Sequence, residues 1–380
     1  MPVFSYDQLR RWPDVEAENL YAVDATDRLI IDEAAGAVRT APHAVVVIGD
    51  RYGALTLGAA ALNGATGIRV HQDPLSGELA LANNAAATGF LGCFLNHPLD
   101  AGLVRGARVV LAQLPKSLAE LQEIAETVAA HADPAVVVYA GGRVKHMTPA
   151  MNDVLRRCFT EVSATLARQK SRVLVAGSAR PGIEPTFPRR QRHDDLAIEV
   201  CAHGAAFGGT KIDPGTRFLL GFLDQMSPEA RSAVDLGCGT GALAVTLARV
   251  RPGLEVTATD DSASAIASTV ATSAANGVAA QVTAVRDDAM ASMTDASVDL
   301  VVCNPPFHLG TSVHAGAALS LFAAAGRVLR PGGELWTVFN THLAYASSLQ
   351  RLVGPTKVVA RNAKFTVTMS SASRFDAVIR

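Results

Sequence analysis

Short apolar runs alternate with alanine-rich stretches along most of the 380-residue chain. The apolar runs are rich in valine and end at a polar residue or glycine, as the buried strands of parallel sheets commonly do. The alanine-rich stretches between them have the length and composition of helices. This alternation predicts an α/β fold in which parallel sheets are covered by helices.

The same sequence of elements occurs in both halves of the chain. The predicted strands lie within residues 44–50, 67–73, 108–116 and 135–142 of the first half, and within 233–241, 255–261, 298–307 and 333–340 of the second. We interpret this rhythm as two tandem copies of one Rossmann-like unit. Two unrelated α/β domains would produce a similar rhythm, and the pattern alone leaves that alternative open.

A segment rich in proline and charge separates the two halves. Residues 181–195 read PGIEPTFPRRQRHDD, which is typical of a linker or a loop at a domain edge. We therefore predict a first domain over residues 1–180 and a second over residues 196–380.

Composition excludes several classes of protein. The chain is 49% hydrophobic and 18% charged, with a net charge of −1, so it can bury large cores and is unlike a disordered protein. It contains no apolar stretch that would span a bilayer and no apolar signal core near its start. Its five cysteines are an odd number without C-x-x-C spacing, which argues against a disulfide framework or a zinc site. We predict a cytoplasmic protein that needs no metal and has no membrane partner.

A glycine-rich loop indicates that the second half binds a cofactor. Gly237, Gly239 and Gly241 follow a predicted strand and precede a helix, and glycine allows a ligand to approach the backbone closely. The loop also fits the dinucleotide fingerprint G-x-G-x-x-A. Asp235, in the strand before the loop, favours S-adenosylmethionine over NAD, because a carboxylate attracts its cationic amino acid end and would repel a pyrophosphate.

Acidic residues follow the next two strands. Asp260 ends the strand after the glycine loop, where a carboxylate can accept hydrogen bonds from both ribose hydroxyls, and the adjacent Asp261 is the alternative. Asp288 ends the third strand, where its side chain would take the adenine amino group. A solvated turn acid explains Asp288 equally simply.

The turn Asn304-Pro305-Pro306-Phe307 carries the candidate catalytic residues. Its prolines stiffen the backbone and remove two N–H donors, which leaves carbonyl oxygens and the Asn304 side-chain oxygen as acceptors. An exocyclic amino group can donate both hydrogens to such a pair while Phe307 stacks on the ring that carries it. We therefore predict methyl transfer to a planar amino nitrogen, with Asn304, Pro305 and Phe307 as the catalytic residues. The simpler alternative is a stiffened loop with a buried phenylalanine.

The corresponding parts of the first half differ. Only Gly49 and Gly53 stand where the second half has three glycines, and Leu114-Pro115-Lys116 replaces the Asn-Pro-Pro-Phe turn. Without the full glycine turn a cofactor cannot lie close to the backbone. We expect the first half to be a catalytically silent copy.

These motifs resemble those of the bacterial two-domain ribosomal RNA guanine-N2 methyltransferases. The resemblance covers nearly the whole chain, and its most specific parts are CNPPFH at residues 303–308 and LWTVFNTHLAY at residues 335–345. It implies two tandem class I methyltransferase folds, of which the N-terminal one is degenerate and binds RNA. It also implies S-adenosylmethionine as cofactor and ribosomal RNA, or a ribosomal subunit, as partner. By the same resemblance, Asp213 and Thr216 of the KIDPGT segment would line the cofactor.

Two departures from the family pattern and several alternatives remain. The family often has Asn where this chain has Asp287 or Asp288, and Ser-Asp-Ser where it has His71-Gln72-Asp73. Similar turns serve methyltransferases of adenine N6 and of protein glutamine, and a non-catalytic RNA-binding factor or an NAD-dependent oxidoreductase are further alternatives. Basic residues that could contact RNA are Arg180, Arg189, Arg190 and Arg192 in and beside the linker, and Arg143, Lys145 and His146 in the first half.

Overall fold

The computed structural model describes residues 4–305 and 312–373 of the chain. Its contacts divide it into two compact units that meet in the chain between Phe187 and Pro188. We call them unit 1 and unit 2. No helix among the described residues is long and apolar enough to cross a membrane.

Unit 1 is a seven-stranded sheet covered by helices. Its strands are β1 (Val45–Ile48), β2 (Ile68–His71), β3 (Phe94–Asn96), β4 (Val109–Gln113), β5 (Val137–Arg143), β6 (Phe159–Ala164) and β7 (Ser171–Ala179). Its helices are α1 (Ala25–Thr40), α2 (Ala54–Asn63), α3 (Leu75–Thr88), α4 (Ala101–Val104), α5 (Leu118–His131) and α6 (Pro149–Cys158), with short 3-10 turns at Tyr6–Gln8 and Val144–His146.

Unit 2 begins with the antiparallel pair β8 (Arg189–His193) and β9 (Ile198–Ala202) and continues into a second seven-stranded sheet. The strands of that sheet are β10 (Ser232–Leu236), β11 (Glu255–Asp260), β12 (Val282–Arg286), β13 (Val298–Cys303), β14 (Leu329–Asn340), β15 (Thr356–Arg361) and β16 (Phe365–Ser371). The helices are α7 (Pro214–Leu220), α8 (Ala242–Val250), α9 (Ala263–Ala275), α10 (Ser312–Val328) and α11 (Ala346–Leu352), with 3-10 turns at Leu223–Gln225 and Thr341–Leu343.

The two large sheets have the same topology. The strand orders are β3-β2-β1-β4-β5-β7-β6 in unit 1 and β12-β11-β10-β13-β14-β16-β15 in unit 2. In each sheet the first five strands of that order are parallel, and the last two strands form antiparallel pairs. The prediction of two tandem Rossmann-like units is therefore confirmed.

Each sheet is buried on both faces, which explains the continuous valine and leucine runs of the central strands. In β1, Val46 and Ile48 pack into one apolar cluster, and Val45 and Val47 pack into another. The central strand β10 is also buried, with its residues divided between two clusters. This packing holds the carboxyl ends of adjacent parallel strands at one edge of each sheet, where ligands of such folds bind.

Part of the predicted linker is a strand. Residues 189–193 of the 181–195 segment form β8, which pairs with β9 within unit 2. Four of the five β8 residues are exposed, so the strand has no apolar pattern by which the sequence could reveal it.

Candidate active site

The glycine loop of unit 2 makes a tight turn between β10 and α8. Gly237, Gly239 and Gly241 have φ values of +74°, +55° and +76°, a region that other residues adopt only with strain. The N–H groups of Gly237 and Cys238 both donate to the Thr259 carbonyl of β11, at 2.9 and 3.0 Å. The turn is therefore tied to the neighbouring strand.

The three glycines have different surroundings. A Cβ atom added to Gly237 or Gly239 would have no atom of the described residues within 4 Å, so their backbone faces open space. A Cβ at Gly241 would lie 2.9 Å from the Thr269 side chain. The first two glycines thus form a cradle that a ligand can fill, whereas Gly241 allows α8 and α9 to pack closely.

Asp235 lies buried below this cradle, with 1% of its surface exposed. Its Oδ2 accepts the Ala244 N–H at 2.9 Å, and its Oδ1 has no hydrogen-bond partner among the described residues. Burial, with a smaller contribution from the nearby Asp260 carboxylate, raises the pKa of Asp235 to about 7, although the Ala244 N–H bond acts to lower it. A cationic ligand group beside Asp235 would favour the charged carboxylate, as we expect for the amino acid end of S-adenosylmethionine.

Asp260 bridges the glycine loop and the start of α9. Its Oδ2 accepts the Gly239 N–H and its Oδ1 accepts the Ser262 N–H, both at 3.0 Å. These bonds hold the carboxylate at the rim of the cradle. The contact with Gly239 favours Asp260 over Asp261 as the group that would bind the ribose.

The two acids after β12 have separate environments. Asp287 is buried, and its Oδ2 accepts the Ser292 hydroxyl at 2.6 Å. Asp288 is exposed. Its carboxylate therefore stays the candidate for contact with the adenine amino group.

Asn304 follows β13 directly and is tied to the start of α7. Cys303 pairs with Leu236, so Asn304 and Gly237 are the residues that directly follow paired positions of the adjacent strands β13 and β10. Its Nδ2 donates to Asp213 Oδ2 at 3.1 Å and to Thr216 Oγ1 at 2.9 Å. Its Oδ1 is buried and has no partner among the described residues. Pro305 is also buried, whereas the predicted stacking residue Phe307 lies outside the described residues.

Unit 1 keeps the shape of the turn but lacks its middle glycine. The strand registers place Arg51 at the position of Gly239, Gln72 at that of Asp260 and Gln113 at that of Asn304. Arg51 has a φ of +63°, so the backbone turn survives where the sequence lacks a glycine. Asp50 accepts the N–H groups of Leu55 and Thr56, at 2.7 and 2.8 Å, and so satisfies the start of α2 from within the protein.

Among the described residues, nothing fills the glycine cradle or pairs with Asp235 Oδ1 and Asn304 Oδ1, so these groups fit S-adenosylmethionine, and they lie at the ligand-binding edge of the sheet. With this strand order, they define the class of the protein. It is a Rossmann-like class I methyltransferase that depends on S-adenosylmethionine, with a degenerate N-terminal copy of the same fold.

Comparison with known proteins gives the family. Residues 3–180 match the RLMG N-terminal domain, and residues 197–369 match the methyltransferase small domain. A Pseudomonas aeruginosa protein named ribosomal RNA large subunit methyltransferase G is 35% identical, over 97% of this chain and 99% of its own length. A Streptomyces avermitilis protein of the same name is 33% identical, over 94% and 95%. The chain belongs to this ribosomal RNA large subunit methyltransferase G family.

A solved structure shares the two-unit fold. The T. thermophilus 16S rRNA methyltransferase RsmC, which acts at N2 of a G nucleotide and was solved with AdoMet and guanosine, matches with a TM-score of 0.69. The match covers 92% of each chain at 21% sequence identity, so it bears on the fold alone.

Two features of the site were not predicted from the sequence. One is the attachment of Asn304 to Asp213 and Thr216, since the resemblance assigned both of these residues to the cofactor. The other is the retained turn around Arg51. The segments IDPGTRFLL (residues 212–220) and VDATDRLII (residues 23–31) are similar. Aligning them would have suggested that both helix starts bind an equivalent amide, that of Asn304 in unit 2 and that of Gln113 in unit 1.

Proposed function

We propose that this protein transfers a methyl group from S-adenosylmethionine to the exocyclic N2 of a guanine in ribosomal RNA of the large subunit. The observation that carries the proposal is the buried Asn304 Oδ1, an acceptor beside the glycine cradle with no partner among the described residues. The names of the family relatives support ribosomal RNA of the large subunit as the substrate. A ribosomal substrate also implies that the enzyme works in the cytoplasm.

The chemistry requires an amine whose lone pair is available. S-adenosylmethionine supplies a methyl group on a sulfonium, which is already a good leaving group. The lone pair of a guanine amino group is delocalised into the ring, so the nitrogen is a poor nucleophile. When Asn304 Oδ1 and the Pro305 carbonyl accept its two hydrogens, the nitrogen is held in one orientation with its lone pair directed at the methyl carbon. The new N–C bond forms as the S–C bond breaks, S-adenosylhomocysteine is the leaving group, and the methylated nitrogen then releases its extra proton to water.

Access to the guanine sets a further requirement. In a duplex its N2 lies in the minor groove, where a buried acceptor such as Asn304 cannot reach it. The target guanine must therefore be unpaired or turned out of its helix before transfer.

The proposal is tested by mapping methylated nucleosides. Ribosomal RNA from cells that lack the gene should lack one N2-methylguanosine of the large subunit, and purified enzyme with S-adenosylmethionine should restore it. Mass spectrometry of nuclease digests locates the residue. Methylation of adenine N6 or of a protein glutamine in its place would contradict the proposal, as would a site in the small-subunit RNA.

A basic cluster in unit 1 is our candidate for the RNA contact. Residues 143–180 contain eight lysines and arginines and two acids, a net charge of 8 − 2 = +6, although the whole chain has a net charge of −1. The Val144 N–H donates to the Lys170 carbonyl at 2.9 Å, which brings the turn after β5 next to the β6–β7 turn. We call the exposed basic residues of these two turns the basic turn cluster: Lys145, His146, Arg168 and Lys170.

The arginines of the predicted linker are a weaker candidate. Arg190 pairs with Glu199 at 3.2 Å and Arg192 pairs with Asp194 at 3.5 Å, so nearby acids partly offset their charges. In the basic turn cluster Arg168 has such contacts, with Asp32 and Glu33 at 3.4 Å. The segment that carries the cluster nevertheless has a net charge of +6, and this charge favours it as the surface that binds RNA phosphates.

Replacing Lys145, Arg168 and Lys170 together by glutamine should weaken RNA binding in a salt-dependent way. Each lost phosphate contact should reduce the slope of log K against log salt concentration by about 0.7 for single-stranded RNA. KM for RNA should rise, whereas kcat at saturating RNA should stay near the wild-type value. Filter binding over a salt series measures the slope. The matched control replaces Arg189, Arg190 and Arg192 by glutamine, and a larger loss of slope in that control would move the RNA surface to β8.

A further inference from the structure

The geometry points to Asp213 and Thr216 as positioning residues for Asn304, which set the direction of its acceptor oxygen and are not ligands of the cofactor. This inference rests on the proposed methyl transfer to an amino nitrogen. It adds a role for the first turn of α7 that neither the family resemblance nor the relatives' names assign.

The hydrogen bonds of the Asn304 amide fix its orientation. An ionised carboxylate accepts hydrogen bonds and cannot donate them. The group that Asn304 presents to Asp213 Oδ2 must therefore be its NH2. Thr216 Oγ1 takes the second amide hydrogen. Both hydrogens are then engaged, and Oδ1 is the amide atom without a partner in the described part of the chain. With the amide rotated by a half turn, its oxygen would face the Asp213 carboxylate and its NH2 would face the substrate amine, so the reaction would lose its acceptor.

Asp213 and Thr216 are themselves held by the start of α7. Asp213 caps α7, and its Oδ2 accepts the N–H groups of Gly215 at 2.6 Å and of Thr216 at 3.3 Å. A Cβ at the buried Gly215 would lie 2.8 Å from Asp213 Oδ2 and 3.5 Å from Asn304 Oδ1, so glycine lets the helix start lie against the amide. A capped helix start is a rigid support for both acceptors.

Unit 1 contains an equivalent contact between a side-chain amide and a helix start. There Gln113, at the position of Asn304, donates from its Nε2 to the Asp27 carboxylate in the first turn of α1. Unit 1 has Arg51 at the position of the cradle residue Gly239. The Gln113 amide nevertheless donates to the first turn of a helix, as the Asn304 amide does. The link between the amide and the helix start therefore does not depend on a cofactor, which favours positioning of the amide over lining of the cofactor site.

The test removes the Thr216 hydroxyl and measures the rate and the cofactor affinity separately. Thr216→Val keeps the side-chain shape, and we expect single-turnover methyl transfer at saturating S-adenosylmethionine to fall by about 3- to 10-fold, the loss that corresponds to one neutral hydrogen bond. The Kd for S-adenosylmethionine, measured by calorimetry, should change by less than about 2-fold. Thr216→Ser, which restores the hydroxyl, should recover most of the rate.

A matched control separates positioning from general stability. Thr26→Val removes a buried hydroxyl that lies 2.9 Å from Ser171 Oγ near the start of α1 in unit 1. It should lower the melting temperature by an amount similar to Thr216→Val and leave the rate unchanged. A Thr216→Val rate equal to that of wild type would overturn the inference, and so would a raised Kd with a normal rate at saturation.

Identification of the methylated nucleoside distinguishes a failure of this inference from a failure of the proposed function. Transfer is measured as labelled methyl groups incorporated into ribosomal particles from cells without the gene, whatever the acceptor. If the wild-type product is not N2-methylguanosine, the proposed function fails, whereas the ratio of variant to wild-type rates still decides the role of Thr216.

Discussion

Replacing Asn304 by alanine is expected to reduce methyl transfer by about 10²- to 10³-fold or more, while S-adenosylmethionine binds nearly as in the wild type. The loss is large because an oriented polar group aimed at the reacting atoms contributes on this scale. Affinity should persist because the glycine cradle, Asp235 and Asp260 are unchanged, and Asn304 contacts α7 through its amide. Single-turnover rates and calorimetry on the same preparation measure the two quantities.

The chain offers a matched control for the Asn304 variant. Gln113 has the same register position in unit 1 and a similar link to a helix start. Gln113→Ala should cost stability of a comparable size and leave methyl transfer unchanged. A fully active Asn304→Ala enzyme would exclude the acceptor mechanism, and a parallel loss of cofactor binding would indicate a structural role.

Gly239→Arg is expected to weaken cofactor binding strongly in a protein that still folds. Gly239 faces open space with a φ of +55°, and unit 1 already accommodates Arg51 at the equivalent position with a φ of +63°. The side chain would occupy the cradle in which a ligand approaches the backbone. Overpacking of this kind costs about 3 kcal/mol, so the Kd for S-adenosylmethionine should rise by roughly 100-fold or more.

The folding of this variant can be checked independently. An arginine in the left-handed region costs about 1–2 kcal/mol, which should appear as a modestly lower melting temperature with an unchanged circular dichroism spectrum. The reverse substitution, Arg51→Gly, should relieve strain in unit 1 without creating a binding site, because Gln72 still replaces the ribose acid there. Wild-type affinity in Gly239→Arg would place the cofactor away from the glycine turn.

The sequence indicated the architecture well, because the signals for it are local. The valine run before Asp50 and the short β-rich runs that contain Asp235 or end at Asp260 predict buried parallel strands, and the structure has β1, β10 and β11 there. The repeat was equally readable, since the same order of strands occurs in both halves. Strand β8 was not predicted, because it has no local signal in the sequence. Its exposed arginines have no apolar periodicity, and only pairing with β9 makes it a strand.

The chemistry of the glycine loop was also largely a matter of sequence. Gly237 and Gly239 indicate a turn with positive φ from residue type alone, and Asp260 follows at the end of the next strand. What the sequence could not determine is which glycine faces the ligand. That depends on Thr269, a residue of α9 that packs against Gly241 and leaves the other two glycines open.

Residue types and their order thus determined the fold, the repeat, the class of cofactor and the candidate catalytic turn. Tertiary structure alone decided which atom of Asn304 is available, because its partners Asp213 and Thr216 lie about 90 residues earlier in the chain. It also decided that unit 1 keeps the same backbone turn although Arg51 replaces the middle glycine. Arg51 is held there in a strained conformation that local preference disfavours. Both outcomes arise from contacts between distant segments, which the pattern along a single segment does not record.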